Sequence, residues 1–456
     1  SLAKQMADKS LTSKCIAEFV GTFLLVFTIG CNVLSKQTVW APVSIACSLM
    51  VGIYAFGGIS GANFNPAVSF SLGIVKSLGG QGGLDWMTVG IYSVVQILAG
   101  ILAGFTYEEL FFDQFFLKPG KGFNFANAGT CEFFYTFMLC FVVLNVAAVK
   151  KSAPNQWYGL AIGFVIIAGA YGAGIVSGGC FNPAVALGID ISSAWMGLLY
   201  GPVYVPFQLL GATLAAFLFK AVRPSEFKDD VDSISLKSKL YSEFIGTFML
   251  VFTVGLNVLG KSPAGAFSIA ASLMCMVYAL GDVSGAHFNP AVTVAILCNG
   301  AIEKAKVLES CYYILVQLLA GILAAYSYAF VYHAESFRLE PQGKNTMVQV
   351  AAAETMFTFV LCVVVLCTAV NEKTKSKDFF GLAIGSCITV GGFAIGGISG
   401  GSLNPAVSWG IAFASLLGGP GAFFLNALWY SCFETVGGVA AALLLKVTHM
   451  EVDAKK

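Results

Sequence analysis

Four asparagines recur in one setting along this chain. SGANFNPAVS ends at Ser69, GGCFNPAVA at Ala186, SGAHFNPAVT at Thr293 and GGSLNPAVS at Ser408, so Asn65, Asn182, Asn289 and Asn404 each precede Pro-Ala-Val. Asparagine is a favoured helix N-cap, and Pro66, Pro183, Pro290 and Pro405 then occupy the first helical position, where a missing N–H costs nothing. Ala67, Ala184, Ala291 and Ala406 follow inside four short apolar helices. Each helix would present its positive end and one carboxamide to whatever lies before it. Two such ends meeting head to head donate hydrogen bonds to a neutral guest and repel cations, which is the chemistry of a pore rather than of bond making.

The stretches before these asparagines, Gly61–Phe64, Gly178–Phe181, Gly285–Phe288 and Gly400–Leu403, are Gly-rich and not helical in pattern. Unpaired carbonyls at membrane depth are tolerable only along a water-filled path, so these segments are expected to form ladders of acceptors. Glu18, Glu132, Glu243 and Glu354 lie within apolar runs, where an ionisable group is costly and marks either function or buried support. A proton relay through them is the alternative to a supporting role.

The elements that must position these groups are membrane spans. The chain of 456 residues is 57% hydrophobic and only 11% charged, with mean hydropathy +0.81, which excludes an ordinary soluble domain. Apolar runs of about 20 residues, enough to cross a bilayer, occur near 15–34, 39–59, 87–107, 128–149, 157–177 and 195–220. Six more follow near 239–259, 264–283, 308–332, 349–370, 379–398 and 421–446. The net charge of +1, with no basic cluster among aromatics, predicts no nucleic-acid partner. Thirteen cysteines lie mostly in apolar runs without CxxC or Cys/His spacing, so they read as small buried hydrophobes, and neither a metal nor a cofactor is expected. The opening SLAKQMADKS has no apolar stretch of its own, so no cleavable signal is expected there.

The two sets of six runs are copies. Ile16–Leu34, IAEFVGTFLLVFTIGCNVL, matches Tyr241–Leu259, YSEFIGTFMLVFTVGLNVL, and Asn65 precedes Asn289 by 224 residues as Asn182 precedes Asn404 by 222. Each copy is itself doubled more faintly. AEFVGTFLLVF at Ala17 echoes CEFFYTFMLCF at Cys131, and the glutamate-to-asparagine intervals are 47, 50, 46 and 50 residues. Half-units of three spans run in opposite directions, so the two loop helices of a unit enter from opposite faces and meet near the midplane. The expected organisation is an all-α polytopic membrane protein with a first six-helix unit at 1–222, a polar linker at 223–237 and a second unit at 238–456. Only six of the 25 lysines and arginines (Lys36, Lys118, Lys121, Lys261, Arg338 and Lys344) then fall in outer loops, which predicts cytoplasmic termini.

Two Asn-Pro-Ala loops per six spans, with glutamate in the first and fourth, resemble the aquaporin (major intrinsic protein) family across nearly the whole chain, twice over. The resemblance implies an hourglass pore through each unit, glutamates that hold the loop backbones, and a four-pore assembly of two chains in a lipid bilayer. Most aquaporins are alike in carrying arginine directly after the second Asn-Pro-Ala; here Val185 and Val407 stand there. By the family's spacing the constriction is Ile45, Ala170, Gly179 and Val185 in the first pore and Ile269, Gly392, Gly401 and Val407 in the second. All eight are small or aliphatic, similar to the tonoplast-type plant aquaporins in the valine. A wide, apolar filter implies passage of small neutral solutes such as glycerol, urea or hydrogen peroxide as well as water, with protons and ions excluded.

Three residues stand outside this pattern. His287 takes the place of Asn63 and is expected to make a loop hydrogen bond; Cys180 is a candidate pore-facing thiol open to mercurials; Glu434 replaces Gln96, Gln208 and Gln317 of the sister helices and is expected to bond the loop or pack. The competing reading is a structural membrane protein with closed or incidental pores. A coupled transporter would need a charged partner at the midplane, for which the four glutamates and Glu434 are the only candidates. No set of nucleophile, base and metal appears, so an enzyme is not expected.

Overall fold

The computed structural model describes residues 9–149, 155–194, 200–227, 234–300, 303–418 and 423–448. It divides into two compact units, one of Ser1–Ser235 with Ser262–Ala264 and one of Leu236–Lys261 with Gly265–Lys456. Among the described residues the regular structure is helical throughout.

The first unit runs α1 (Leu11–Leu34), α2 (Ala41–Ser60), α3 (Pro66–Ser77), α4 (Trp86–Phe111), α5 (Phe125–Val146), α6 (Tyr158–Ser177), α7 (Pro183–Ser192) and α8 (Tyr200–Val222). The second repeats that order as α9 (Leu236–Leu259), α10 (Gly265–Ser284), α11 (Pro290–Asn299), α12 (Lys304–Val331), α13 (Met347–Val365), α14 (Phe380–Ser399), α15 (Pro405–Gly418) and α16 (Phe424–Thr448). Twelve of the helices are long and apolar enough to cross a membrane. The other four, α3, α7, α11 and α15, begin at the four prolines.

Local chemistry sets several boundaries that the apolar runs left loose. The fourth span starts at Phe125 rather than near 128 because Asn124 caps it through the N–H groups of Ala126 and Asn127, while Asn127 bonds back to the Asn124 N–H. The tenth span closes on a wider turn, Leu366–Val370, within the run expected to end at 370. Residues 195–199 and 421–422, where two runs were placed to begin, lie outside the described residues, as do residues 228–233 of the linker and Lys4, Lys150, Lys151, Lys228, Lys455 and Lys456 of the charge count.

Small residues let the short helices seat deeply. A Cβ added to Gly100 of α4 would stand 2.4 Å from the carbonyl oxygen of Ala184 on α7, and the copy, Gly321 on α12, would meet Ala406 on α15 at 2.3 Å. Backbones this close are how helices associate where lipid offers no hydrophobic drive. Packing also disposes of the cysteines: six are buried, whereas Cys311 and Cys432 are exposed.

Candidate functional site

Each Asn-Pro-Ala segment is built as its residue types dictate. Asn65, Asn182, Asn289 and Asn404 each accept, through the side-chain oxygen, the N–H two residues on, from Ala67, Ala184, Ala291 and Ala406, at 2.8–2.9 Å. The first three are extended in backbone, as an N-cap requires. The carboxamide nitrogen is thereby aimed away from its own helix.

The two loops of each unit are joined through those nitrogens. Asn65 Nδ2 donates to the Phe181 carbonyl at 2.9 Å and Asn182 Nδ2 to the Phe64 carbonyl at 2.8 Å. In the second unit Asn289 donates to Leu403 at 2.8 Å and Asn404 to Phe288 at 2.9 Å. This crossed pair refines the sequence expectation in two respects. One N–H of each amide is bound to the facing loop, which leaves one for a guest. The last carbonyl of each acceptor ladder is likewise occupied by an asparagine.

Four buried carboxylates hold the loops in shape. Glu18 accepts Ser60 Oγ at 2.6 Å, the N–H groups of Asn63 and Phe64 at 3.0 and 2.8 Å, and Gln96 Nε2 at 2.8 Å. Glu132 takes the same four donors from Ser177, Cys180, Phe181 and Gln208, and Glu243 from Ser284, His287, Phe288 and Gln317. Glu354 takes three, from Ser399, Ser402 and Leu403. These bonds sustain a backbone that bulky residues resist: Phe64, Phe181, Phe288 and Leu403 all have φ between +50° and +54°. With the loop N–H groups bound to glutamate and serine, the carbonyls of Gly61, Ala62 and Asn63 are the acceptors left for the interior.

A tyrosine completes each site and escaped the sequence reading. Tyr92, Tyr204, Tyr313 and Tyr430 donate to the carbonyls of Ser60, Ser177, Ser284 and Ser399 at 2.7–3.0 Å. The signal was present: each tyrosine lies four residues before Gln96, Gln208, Gln317 or Glu434, one helical turn away on the same face.

Position 434 breaks the symmetry. Glu434 Oε1 accepts from the Asn404 N–H at 3.0 Å and from Ser408 Oγ at 3.1 Å, while its buried Oε2 meets no hydrogen-bond partner within bonding geometry among the described residues. Its role is therefore loop bonding, but without the amide N–H that the sister glutamines give at 2.8 Å. Glu434→Gln would supply that donor to Glu354 and should stabilise the second unit by about 1 kcal/mol. Thermal unfolding of the detergent-solubilised chain measures it, and an unchanged or lowered midpoint would contradict this account. His287 behaves as its position suggests: Nδ1 lies 3.1 Å from Thr293 Oγ1, just as Asn63 Nδ2 donates to Ser69 Oγ at 3.0 Å.

Around the first crossed pair lies a cavity of about 340 Å³. Ile45, Ala170, Gly179 and Val185 line it together, as do Asn65, Asn182 and Cys180. Phe115 to Lys118, ahead of α5, and Ala147 and Tyr158, beyond its other end, also line it, so the cavity is bordered by residues from both sides of that span. Gly179 leaves width: a Cβ there would sit 3.4 Å from the Ala170 Cα. In the second unit Gly401 faces Gly392 in the same way at 3.5 Å, Val407 is buried at the start of α15, and Ile269 is half-buried on α10.

Comparison with known proteins places this geometry. The family model for the major intrinsic protein matches residues 5–173, 155–259 and 230–445. The chain is 34% identical over 227 residues to the probable aquaporin NIP-type of Nicotiana alata, a match covering 47% of the chain and 80% of the relative. It is 33% identical to the glycerol uptake facilitator protein-like 6 of Lactiplantibacillus plantarum, over 47% of the chain and 99% of the relative. Aquaporin AqpM of Methanothermobacter marburgensis is 29% identical over 46% of the chain and 97% of its own length. Each relative thus corresponds to about one unit, and this multi-pass chain, with its crossed asparagines and duplicated six-helix units, belongs to the major intrinsic protein family.

Proposed function

We propose that each unit is a passive channel for water and small neutral solutes, glycerol, urea and hydrogen peroxide among them, that excludes protons and ions. The observation carrying this reading is the crossed asparagine pair at the centre of a cavity whose narrowest candidates are Ile45, Ala170, Gly179 and Val185. A guest oxygen that accepts the remaining N–H of Asn65 and of Asn182 loses its hydrogen-bonded contact with neighbouring waters, and the positive ends of α3 and α7 oppose a cation there. Asn289 and Asn404 do the same for the second unit. Glu18, Glu132, Glu243 and Glu354 act as supports, since their oxygens are engaged by loop donors. The likeness to a protein named as a glycerol uptake facilitator supports passage of a small polyol. Residues 1–222 and 238–456 are read as the two channels, 223–237 as a cytoplasmic linker, and two chains as completing a four-pore assembly.

Purified chain in proteoliposomes tests the reading. Osmotic water flux, glycerol and urea uptake should all exceed those of empty vesicles, and should drop when Asn65 and Asn289 are both replaced by alanine. Water flux with glycerol and urea excluded would refute the wide filter; flux equal to empty vesicles would favour the structural reading.

A further inference from the structure

The two outer mouths differ in charge at matched positions. The loop ahead of α5 is pinned by Gly120, whose N–H donates to the Val176 carbonyl at 2.8 Å; ahead of α13, Gln342 donates to Ile398 at 2.8 Å. Three residues before each anchor, Leu117 and Leu339 sit the same distance, 3.2 Å, from where a Cβ would stand on Gly178 and Gly400. The register between the loops is therefore fixed. Two residues before the anchor stand Lys118 and Glu340, and four before it Phe116 and Arg338.

In the first unit both positions, Phe116 and Lys118, line the cavity, with Lys118 Nζ 4.8 Å from the centre of the Phe116 ring. In the second, Arg338 lies 4.6 Å above the Phe423 ring and Glu340 takes the lysine's place. Asp113 matches Glu335 further back in the loop, and Lys121 and Lys344 both follow their anchors, so these pairs contribute alike. Glu108 and Glu109 at the end of α4 and Asp190 on α7 have no acidic counterparts in the second unit, but none of them lines the first cavity, whose one charged lining residue is Lys118, whereas the second loop sets a cation and an anion at the matched positions.

We propose that Lys118 gives the first mouth the positive charge that Val185 does not, so that this mouth draws anions and turns cations away, whereas the second mouth, with Arg338 beside Glu340, is neutral to both. The proposal rests on the cavity being an open pore. A narrow apolar entrance focuses the field of a single charge, enough to change the local concentration of an ion about tenfold, and salt screens it.

Thiols below each mouth report the difference. Cys180 lines the first cavity, with Sγ 3.2 Å from the Asn182 carbonyl oxygen, and Ser402 Oγ holds the matching place 3.1 Å from that of Asn404 but also 2.7 Å from Ser408 Oγ, so the second thiol is introduced as Ser402→Cys together with Ser408→Ala, the residue type of Ala186 in the first unit. The full chain in neutral-lipid nanodiscs is treated with methanethiosulfonates bearing a methyl, an anionic sulfonatoethyl or a cationic trimethylammonium-ethyl group, and labelling at each thiol is followed by peptide mass. Rates are normalised to free cysteine. The anionic reagent should outpace the cationic one at Cys180 by about tenfold, and the order should reverse in Lys118→Glu and flatten in Lys118→Gln or at high salt. At the thiol introduced by Ser402→Cys the two should react alike, with the anionic reagent favoured once Glu340→Lys is added. A ratio at Cys180 that ignores Lys118→Glu, equal ratios at the two thiols, or exclusion of both charged reagents while the methyl reagent enters would overturn the proposal. Failure of the methyl reagent at both thiols would sink the open-pore reading itself.

Discussion

Glu132→Ala should silence the first channel and leave the second working, so that osmotic flux through the purified chain falls to about half. Glu132 is fully buried and accepts Ser177 Oγ at 2.7 Å, the N–H groups of Cys180 and Phe181 at 3.0 and 2.7 Å, and Gln208 Nε2 at 2.8 Å. Alanine leaves four donors without an acceptor at a depth where water is scarce, each costing about 1–3 kcal/mol. The same bonds keep Phe181 at φ +53°, a conformation worth about 1–3 kcal/mol of strain when nothing enforces it. Phe181 in turn offers its carbonyl to Asn65, so relaxation of the loop uncouples the crossed pair. Glu132→Gln is the sharper control, because it keeps the volume and one acceptor but sets an amide against the Gln208 amide; its flux should fall between wild type and alanine. Stopped-flow shrinkage of proteoliposomes with matched protein content reads both variants. Wild-type flux in Glu132→Ala would show that the loop is held by other contacts and that the carboxylate has a different purpose.

Much of this site was legible in the sequence because its parts are local. An asparagine before proline is favoured at a helix start on local grounds alone, and a glutamate recurring 46 to 50 residues upstream four times over points to the same kind of partner each time. Fold class followed from twelve apolar runs and from the echo of the first six in the second. The crossed hydrogen bonds were not legible, since Asn65 and Phe181 are 116 residues apart and their pairing exists only once two inverted half-units close on each other. Nor was the left-handed backbone at Phe64 or Leu403, which intrinsic preference argues against and the buried carboxylates impose. Tyr92 and its three copies were hidden for another reason: a tyrosine in an apolar span reads as core until its hydroxyl finds the end of the neighbouring helix.

If Val185 and Val407 line the constrictions as proposed, replacing them by arginine should close both units to glycerol and urea. Val185 meets the cavity beside Ile45, Ala170 and Gly179, a wall of aliphatic surface and bare backbone with no side-chain donor. On the proposed reading such a wall gives a guest like glycerol width but no hydrogen bond, so the guest passes by keeping part of its hydration rather than by shedding it. Val185→Arg adds a planar cation with five donors next to the carbonyls of the Gly178–Phe181 loop, where it finds acceptors and narrows the passage. Water, which needs little width, should continue to pass within a few-fold of wild type. Glycerol and urea uptake should fall by roughly tenfold to a hundredfold, the range that altering one wall of a binding pocket commands. Both units must be changed for the effect to appear in full: Val185→Arg or Val407→Arg alone leaves the other channel conducting and removes about half the solute flux. If the double variant took up glycerol at the wild-type rate, positions 185 and 407 would not form the constriction, and the solute range of this chain would be set elsewhere along the pore.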